Sequence, residues 1–292
     1  MKIIKNNYIL ILISILLLIL GVIAIKQYIT DSNTMYKIEL NNYETCQRDS
    51  TDYILCNNYL EPIKNRDAIS TFGYITMVYN SISVLQILSP LLIIILAASF
   101  FHKYLWNGYV KNALTRIEYD KLIKKIYLKT LKFSFVMTLF LLIIFIVSCL
   151  ISGNFDYEYG INHYGFDAFG IYNAKHWISF MIIYIFNFVL HSIFWINITI
   201  FNCKHTKNTI ITIIVSYIEY MMIFIIFDLI FAGLLFNGSD YMYYFSLANI
   251  WTYSNVSRTG VTLVSTLLAT ISSFIVFFSY KNKEKILEEI SK

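Results

Sequence analysis

The chain has 292 residues, 58% hydrophobic and only 14% charged, with a net charge of +5. Soluble domains carry about 25% charged residues. A large soluble domain is therefore excluded, and only the segment 27–79 is long enough for a small one.

A hydrocarbon core of about 30 Å is crossed by roughly 20 apolar residues in helical form. Six runs meet that need and predict spans at 8–26, 82–101, 131–152, 177–200, 209–236 and 259–280. The expected fold class is all-α, a polytopic membrane protein forming one transmembrane domain over 1–292. Lys2 and Lys5 precede the first run, as in a signal peptide. The run exceeds a typical apolar core of 7–15 residues and no small-x-small cleavage site follows, so an uncleaved helix is expected.

Next comes a long loop, 27–81, holding Cys46 and Cys56. Two readings stand for this pair: a disulfide closing a short loop, or two free thiols. Cys149 and Cys203 read as small packing residues. Pro90 lies in the second span, where it removes one helix hydrogen bond and is expected to kink the helix.

The loop 102–130 is the most basic part of the chain, with eight Lys/Arg between Lys103 and Lys132. Val110, Ala113, Leu114 and Ile117 share one helical face, and Leu122, Ile123, Ile126 and Tyr127 continue an apolar stripe. Lys111, Lys121, Lys124, Lys125 and Lys129 occupy other faces. Such a segment either lies at the bilayer interface with its lysines towards anionic headgroups, or juts out as a short helix that offers a docking knob to a soluble partner.

In the fourth span Asn187 and His191 share a face by their i,i+4 spacing, which predicts hydrogen bonds to another helix. The fifth span carries Glu219 and Asp228. Nine residues at 100° each put them on roughly opposite faces, about 13.5 Å apart along the axis, so they form no shared site on one helix. Asp228 lies near the outer end, within reach of water. Glu219 is deeper; it reads as a substrate contact, a lock between helices, or a hydrogen-bonded packing group.

Orientation follows from counting Lys and Arg on the two sides. The side with both termini and the loop 102–130 holds sixteen, and the other holds seven among eleven acids. Both termini are expected in the cytoplasm, with 27–81, 153–176 and 237–258 outside. The abundance of Ile, Asn, Lys and Tyr points to an AT-rich genome, hence the cell membrane of a low-GC bacterium.

Several chemistries lack their signatures. No G-x-x-x-x-G-K-[ST], H-E-x-x-H, G-x-S-x-G or C-x-x-C occurs. The five histidines are scattered, and His163 with Asp167 reads as a surface polar pair rather than a metal site. No catalytic, metal or cofactor-binding residue is expected on this chain. The basic loop, interrupted by apolar residues at helical spacing, speaks against nucleic acid.

The run ILSPLLIIILAASFFHKYLWNGYVKNALTRIEYDKLIKKIYLK, 87–129, resembles the permease subunits of type-2 ABC exporters. In that family an apolar second span, often with a Pro, ends in Phe. A Gly precedes a short cytoplasmic coupling helix, then an Arg-containing turn and a Lys-rich approach to the third span. Pro90, Phe101, Asn107, Gly108, Lys111, Asn112, Leu114, Thr115, Arg116 and Lys125 fit that pattern. The six-span topology is similar too, as is the aromatic last outer loop, which in the family folds as re-entrant helices. The chain departs at Tyr104, where a Glu is usual, at Tyr109, where a Thr is common, and at Tyr119-Asp120, where a second Arg is common.

The resemblance implies a permease subunit of an ATP-driven exporter, working as a homodimer or with a related permease. ATP and Mg would bind separate ABC ATPase subunits. Asn107, Gly108, Lys111, Asn112, Leu114 and Arg116 would couple to those subunits. Glu219, His191 and Asn187 are candidates for the translocation path or a helix lock. The aromatic-rich, charge-poor spans suit an amphipathic or hydrophobic cargo such as a peptide, lipid or drug-like molecule. The rival readings are a sensory or accessory membrane protein that does not transport, and a membrane-embedded enzyme built on Glu219, His191 and Asn187.

Overall fold

The structure, a computed structural model, describes residues 8–49, 80–106, 109–153, 177–239 and 259–284, together with Cys56, Ala68, Thr71, Phe72, Ile75, Phe245, Leu247, Ile286 and Leu287. Every described element is helical. In chain order they are α1 (Tyr8–Asp49), α2 (Asn80–Trp106), the short α3 (Tyr109–Ala113), α4 (Tyr119–Leu131), α5 (Val136–Ser152), α6 (Trp177–His205), α7 (Thr209–Ile225) and α8 (Thr259–Ser279). A 3₁₀ turn, Lys132–Phe135, joins α4 to α5, and a π-helical stretch, Ile226–Leu235, continues α7.

Six stretches are long and apolar enough to cross a membrane: Tyr8–Arg48, Leu88–Trp106, Tyr119–Ser152, Met181–His205, Thr209–Leu235 and Gly260–Ser279. The six spans read from the sequence are all there. The histidine–aspartate pair His163 and Asp167, the loop 153–176 past Gly153, and most of 237–258 lie outside the described residues.

Two boundaries differ from expectation. The first helix does not give way to a loop at residue 27; it runs on to Asp49, 42 residues or about 63 Å. Hydropathy falls at Lys26, but nothing there stops a helix, because no Gly or Pro occurs from 22 to 61. Thr30, Thr34 and Thr45 each donate a hydroxyl to the carbonyl one turn back. Glu44 and Arg48 form an exposed i,i+4 pair at 3.9 Å. Cys46 and Cys56 are disulfide-bonded, with Cα atoms 5.6 Å apart, so the far end of α1 is tied to the chain ten residues on. Lower down, the Tyr28 and Thr71 hydroxyls meet at 3.1 Å.

The second correction concerns 102–130. Helix α2 continues to Trp106, and α4 runs through the 3₁₀ turn straight into α5, so the basic stripe forms the first three turns of a membrane-length helix rather than a loop. Its apolar face is as expected: Leu122 and Ile126 are buried, Ile123 and Tyr127 half-buried. The terminators are local. Gly153 closes α5 in the left-handed region at φ 63, its N–H reaching the Cys149 carbonyl at 3.0 Å, a conformation that disfavours any side chain with a Cβ. Asn208 caps α7, its side chain accepting from the Ile210 N–H at 2.8 Å.

The core lies between α2 and α6. Ile93, Ile94, Ala97 and Phe101 of α2 and Phe188, Trp195 and Ile196 of α6 are all essentially inaccessible. Pro90 sits inside α2 as anticipated and is buried. Helix α1 approaches the bundle closely at Gly21, where an added Cβ would stand 3.3 Å from Phe140 and Ile144 of α5.

Candidate functional site

The corner between α2 and α4 is built from the inside out. Val110 of α3 is fully buried, while Ala113, Leu114 and Ile117 are half-buried, so one face of this five-residue helix is pinned to the protein. Asn112 of α3 and Thr115 and Arg116 of the turn that follows are exposed. The chain leaves α3 through a tight turn: the N–H groups of Arg116 and Ile117 both donate to the Ala113 carbonyl, at 3.0 and 2.9 Å. The Thr115 hydroxyl donates to the Asn112 carbonyl at 2.8 Å, satisfying one of the acceptors a helix end leaves open. Asn107, Gly108 and the Lys111 side chain are outside the described residues.

Two of the departures from the exporter pattern meet here. The Tyr104 and Tyr109 rings pack edge to face at 4.8 Å, with Phe100 also 4.8 Å from Tyr104. An aromatic contact therefore holds α3 against α2. The third departure is also an anchor: the buried Tyr119 hydroxyl donates to the Tyr280 carbonyl at 2.9 Å, fixing the start of α4 to the end of α8.

The end of α2 is also tied to the turn between α6 and α7. His102 Nε2 lies 3.2 Å from the Thr206 carbonyl and Nδ1 lies 3.1 Å from the Thr209 hydroxyl. A carbonyl only accepts, so Nε2 carries the proton and the hydroxyl donates to Nδ1 in the neutral ring. Trp106 Nε1 donates to the Cys203 carbonyl at 2.9 Å, and Lys207 lies 5.9 Å over the Trp106 ring. Two side chains of α2 thus tie its end to α6 and to the turn that leads into α7.

The polar residues of the spans form a seam. Asn187 Nδ2 donates to Thr262 at 3.1 Å, and His191 Nε2 lies 2.9 Å from the Ser265 hydroxyl. Asn197 Nδ2 donates to Ser272 and Ser273 at 2.9 and 3.0 Å, and its Oδ1 accepts from the Tyr127 hydroxyl at 3.0 Å. Lys204 Nζ donates to the Ser279 carbonyl at 3.1 Å. The α6–α8 partners along this seam are 74 to 76 residues apart. A constant offset means that α6 and α8 run parallel, as spans four and six must when one crossing separates them.

Glu219 does not join Asn187 and His191. Its Oε2 accepts from Asn202 Nδ2 at 2.6 Å, and the same Asn202 amide donates to Ser216 at 3.2 Å. Glu219 is hydrogen-bonded to the neighbouring helix α6, a contact that fits a lock between helices and a packing group alike. Asp228 instead accepts the Leu247 N–H at 3.0 Å, tying the segment between α7 and α8 back to the π-helical stretch, where Phe245 stacks on Phe231 and Phe236. The candidate trio is thus two sites: Asn187 and His191 face α8, and Glu219 bonds α6.

Sequence reasoning passed over Asn197, Asn202, Tyr127 and His102. The signal for the first two was in plain view, since a buried amide in an apolar span needs a partner as much as Asn187 does. Among the described residues no cluster of three or more His, Cys, Asp or Glu is placed to hold a metal. Cys203 is buried and Cys149 half-buried, both as free thiols.

The arrangement defines an all-helical chain with six membrane-length helices, a polar seam in its core and a pinned short helix at one basic end. No family model matches this chain, and neither a curated protein nor a solved structure does.

Proposed function

We propose that this chain is the membrane-spanning permease subunit of an ATP-driven exporter. Both termini and the α2–α4 corner lie in the cytoplasm, and the protein resides in the cell membrane of a low-GC bacterium. It assembles with a second permease, identical or related, and with two separate ABC ATPase subunits that carry ATP and Mg. The chain itself catalyses nothing.

The observation that carries the reading is α3, a five-residue helix between two membrane-length helices, with Val110 buried beneath and Asn112, Thr115 and Arg116 exposed above. It stands where the exporter resemblance puts a coupling helix, on the side with most of the basic residues. In this account the ATPase subunits close on ATP and push α3. Val110 and the Tyr104–Tyr109 contact pass the load to α2, and His102 and Trp106 pass it to the α6–α7 turn. The parallel α6–α8 pair then moves as one body against the flanking helices, switching the path from inward or lateral access to outward. Arg116 is placed to meet an acidic group of the ATPase, and the Glu219–Asn202 bond is a lock to be broken or kept through the cycle. The cargo is an amphipathic or hydrophobic molecule, since the described spans hold few charges and many aromatic rings.

Cysteines introduced one at a time over 108–116 test this by crosslinking. Adducts to a co-purified ATPase are expected at Asn112 and Arg116 and none at buried Val110; a scan with no adduct at any position removes the coupling role. The Tyr104–Tyr109 contact favours a second reading, an accessory protein that binds the ATPase without transport. In that case adducts form, but ATP turnover is unchanged when this chain is added.

A further inference from the structure

The basic face of α4 points outward, and among the described residues one of its lysines has an acidic partner. Lys121, Lys124, Lys125, Leu128, Lys129 and Lys132 surround one shallow hollow of about 350 Å³. At 100° per residue these six fall within an arc of about 140°. The opposite face, Tyr119, Leu122, Ile126 and Thr130, is buried. Only Lys121 has an acid, Glu118 at 2.9 Å, and both are well exposed. Among the described residues no carboxylate pairs with the other four lysines.

What this face points at follows from the helix it leads into. The exposed positions continue through Phe135 of the 3₁₀ turn and along α5 as Leu139, Ile143, Ile146 and Leu150. From Lys121 through Lys125, Leu128 and Lys132 to Phe135 and onward, every step is three or four residues. The intervening 3₁₀ turn keeps i and i+3 on one face, so the seam does not rotate away. One outer surface is thus lysine at its first three turns and bare hydrocarbon beyond. Apolar side chains exposed at membrane depth face lipid, so the lysines in line with them stand at the headgroups of the same lipids. The α3 surface, by contrast, lies at the corner and exposes Asn112 and Arg116.

We propose that Lys121, Lys124, Lys125, Lys129 and Lys132 form a binding face for the phosphates of anionic phospholipids in the leaflet that α4 enters. A lysine near a membrane surface gains attraction for anionic lipid worth roughly fivefold in association. Its alkyl stem lies along the apolar surface while the ammonium reaches the phosphates. The proposal stands independently of the ATPase reading, because it requires no second protein.

The test uses the full chain in nanodiscs of equal parts phosphatidylglycerol and phosphatidylcholine. Native mass spectrometry reads the ratio of the two lipids that stay bound after partial delipidation. The wild type is expected to retain phosphatidylglycerol preferentially. The quintuple variant K121Q/K124Q/K125Q/K129Q/K132Q is expected to lose that preference by roughly fivefold or more. These side chains are exposed, so the fold survives; a matching circular dichroism melt checks it. The arginine series at the same positions should keep the preference, and K26Q/K37Q on α1 should leave it unchanged. An unaltered preference in the quintuple variant overturns the proposal. So does displacement of the lipid by soluble glycerophosphate at equal concentration, which would make this a site for a free phosphate. Loss of a co-purifying protein with lipid preference intact would also overturn it, assigning the face to that protein.

Discussion

Helices α6 and α7 flank the same three-residue turn and are both of membrane length, yet 56% of an apolar 18-residue window in Met181–His205 is buried against 17% in Thr209–Leu235. Both are strongly apolar, so hydrophobicity does not separate them. Polar content does. Helix α6 buries Asn187, His191, Asn197 and Asn202, each bonded to a neighbouring helix. Helix α7 buries one line, Thr212, Ser216 and Tyr220, turned towards α6, and leaves Ile210, Ile211, Ile214, Ile218, Met222 and Ile225 exposed. In lipid there is no hydrophobic drive between helices, so packing and interhelical hydrogen bonds decide which helix becomes the core.

That contrast is open to mutation. Trp195→Ala in the middle of α6 should cost most, about 3 kcal/mol, because the side chain is 1% exposed and packs on Phe188 and Tyr220. The low end of the usual range applies, since its indole N–H is buried with no acceptor among the described residues and that loss is removed with it. Asn197→Leu should cost about 1.5 kcal/mol, near the upper limit for such bonds in a membrane, as it breaks contacts to Ser272, Ser273 and Tyr127. Gly21→Leu, at the close approach of α1 to α5, should cost about 1 kcal/mol through overpacking against Phe140 and Ile144. Ile218→Ala on the outer face of α7 should change stability by less than about 0.5 kcal/mol. Reversible unfolding in micelles reads all four. A costly Ile218→Ala would break the comparison, showing that another surface of the assembly covers α7.

Much of this was legible beforehand. Six apolar runs gave six spans, and Asn187 and His191 were rightly paired with another helix by their spacing. The disulfide was one of two open readings. What hydropathy missed, it missed for a physical reason: it reports where lipid ends, whereas a helix ends only where the backbone is stopped. Residues 27–49 are polar but contain no stopper, so α1 runs on. The partners of Asn197 and Asn202 were illegible because they depend on the relative register of helices far apart in the chain. The 75-residue offset between α6 and α8 exists only once both are placed. Glu219 was visible as unusual, but its separation from His191 was a matter of which side of α6 each neighbour occupies.

The central claim is that α3 receives force from another polypeptide. Affinity capture of the intact protein from membranes of its native host, with the captured proteins identified by mass spectrometry, tests it most directly. The account predicts a nucleotide hydrolase without membrane spans of its own, retained by the wild type and lost in the Asn112→Trp/Arg116→Glu variant. Recovery of the chain with no hydrolase under any mild solubilisation, or a hydrolase retained equally by that variant, would contradict it.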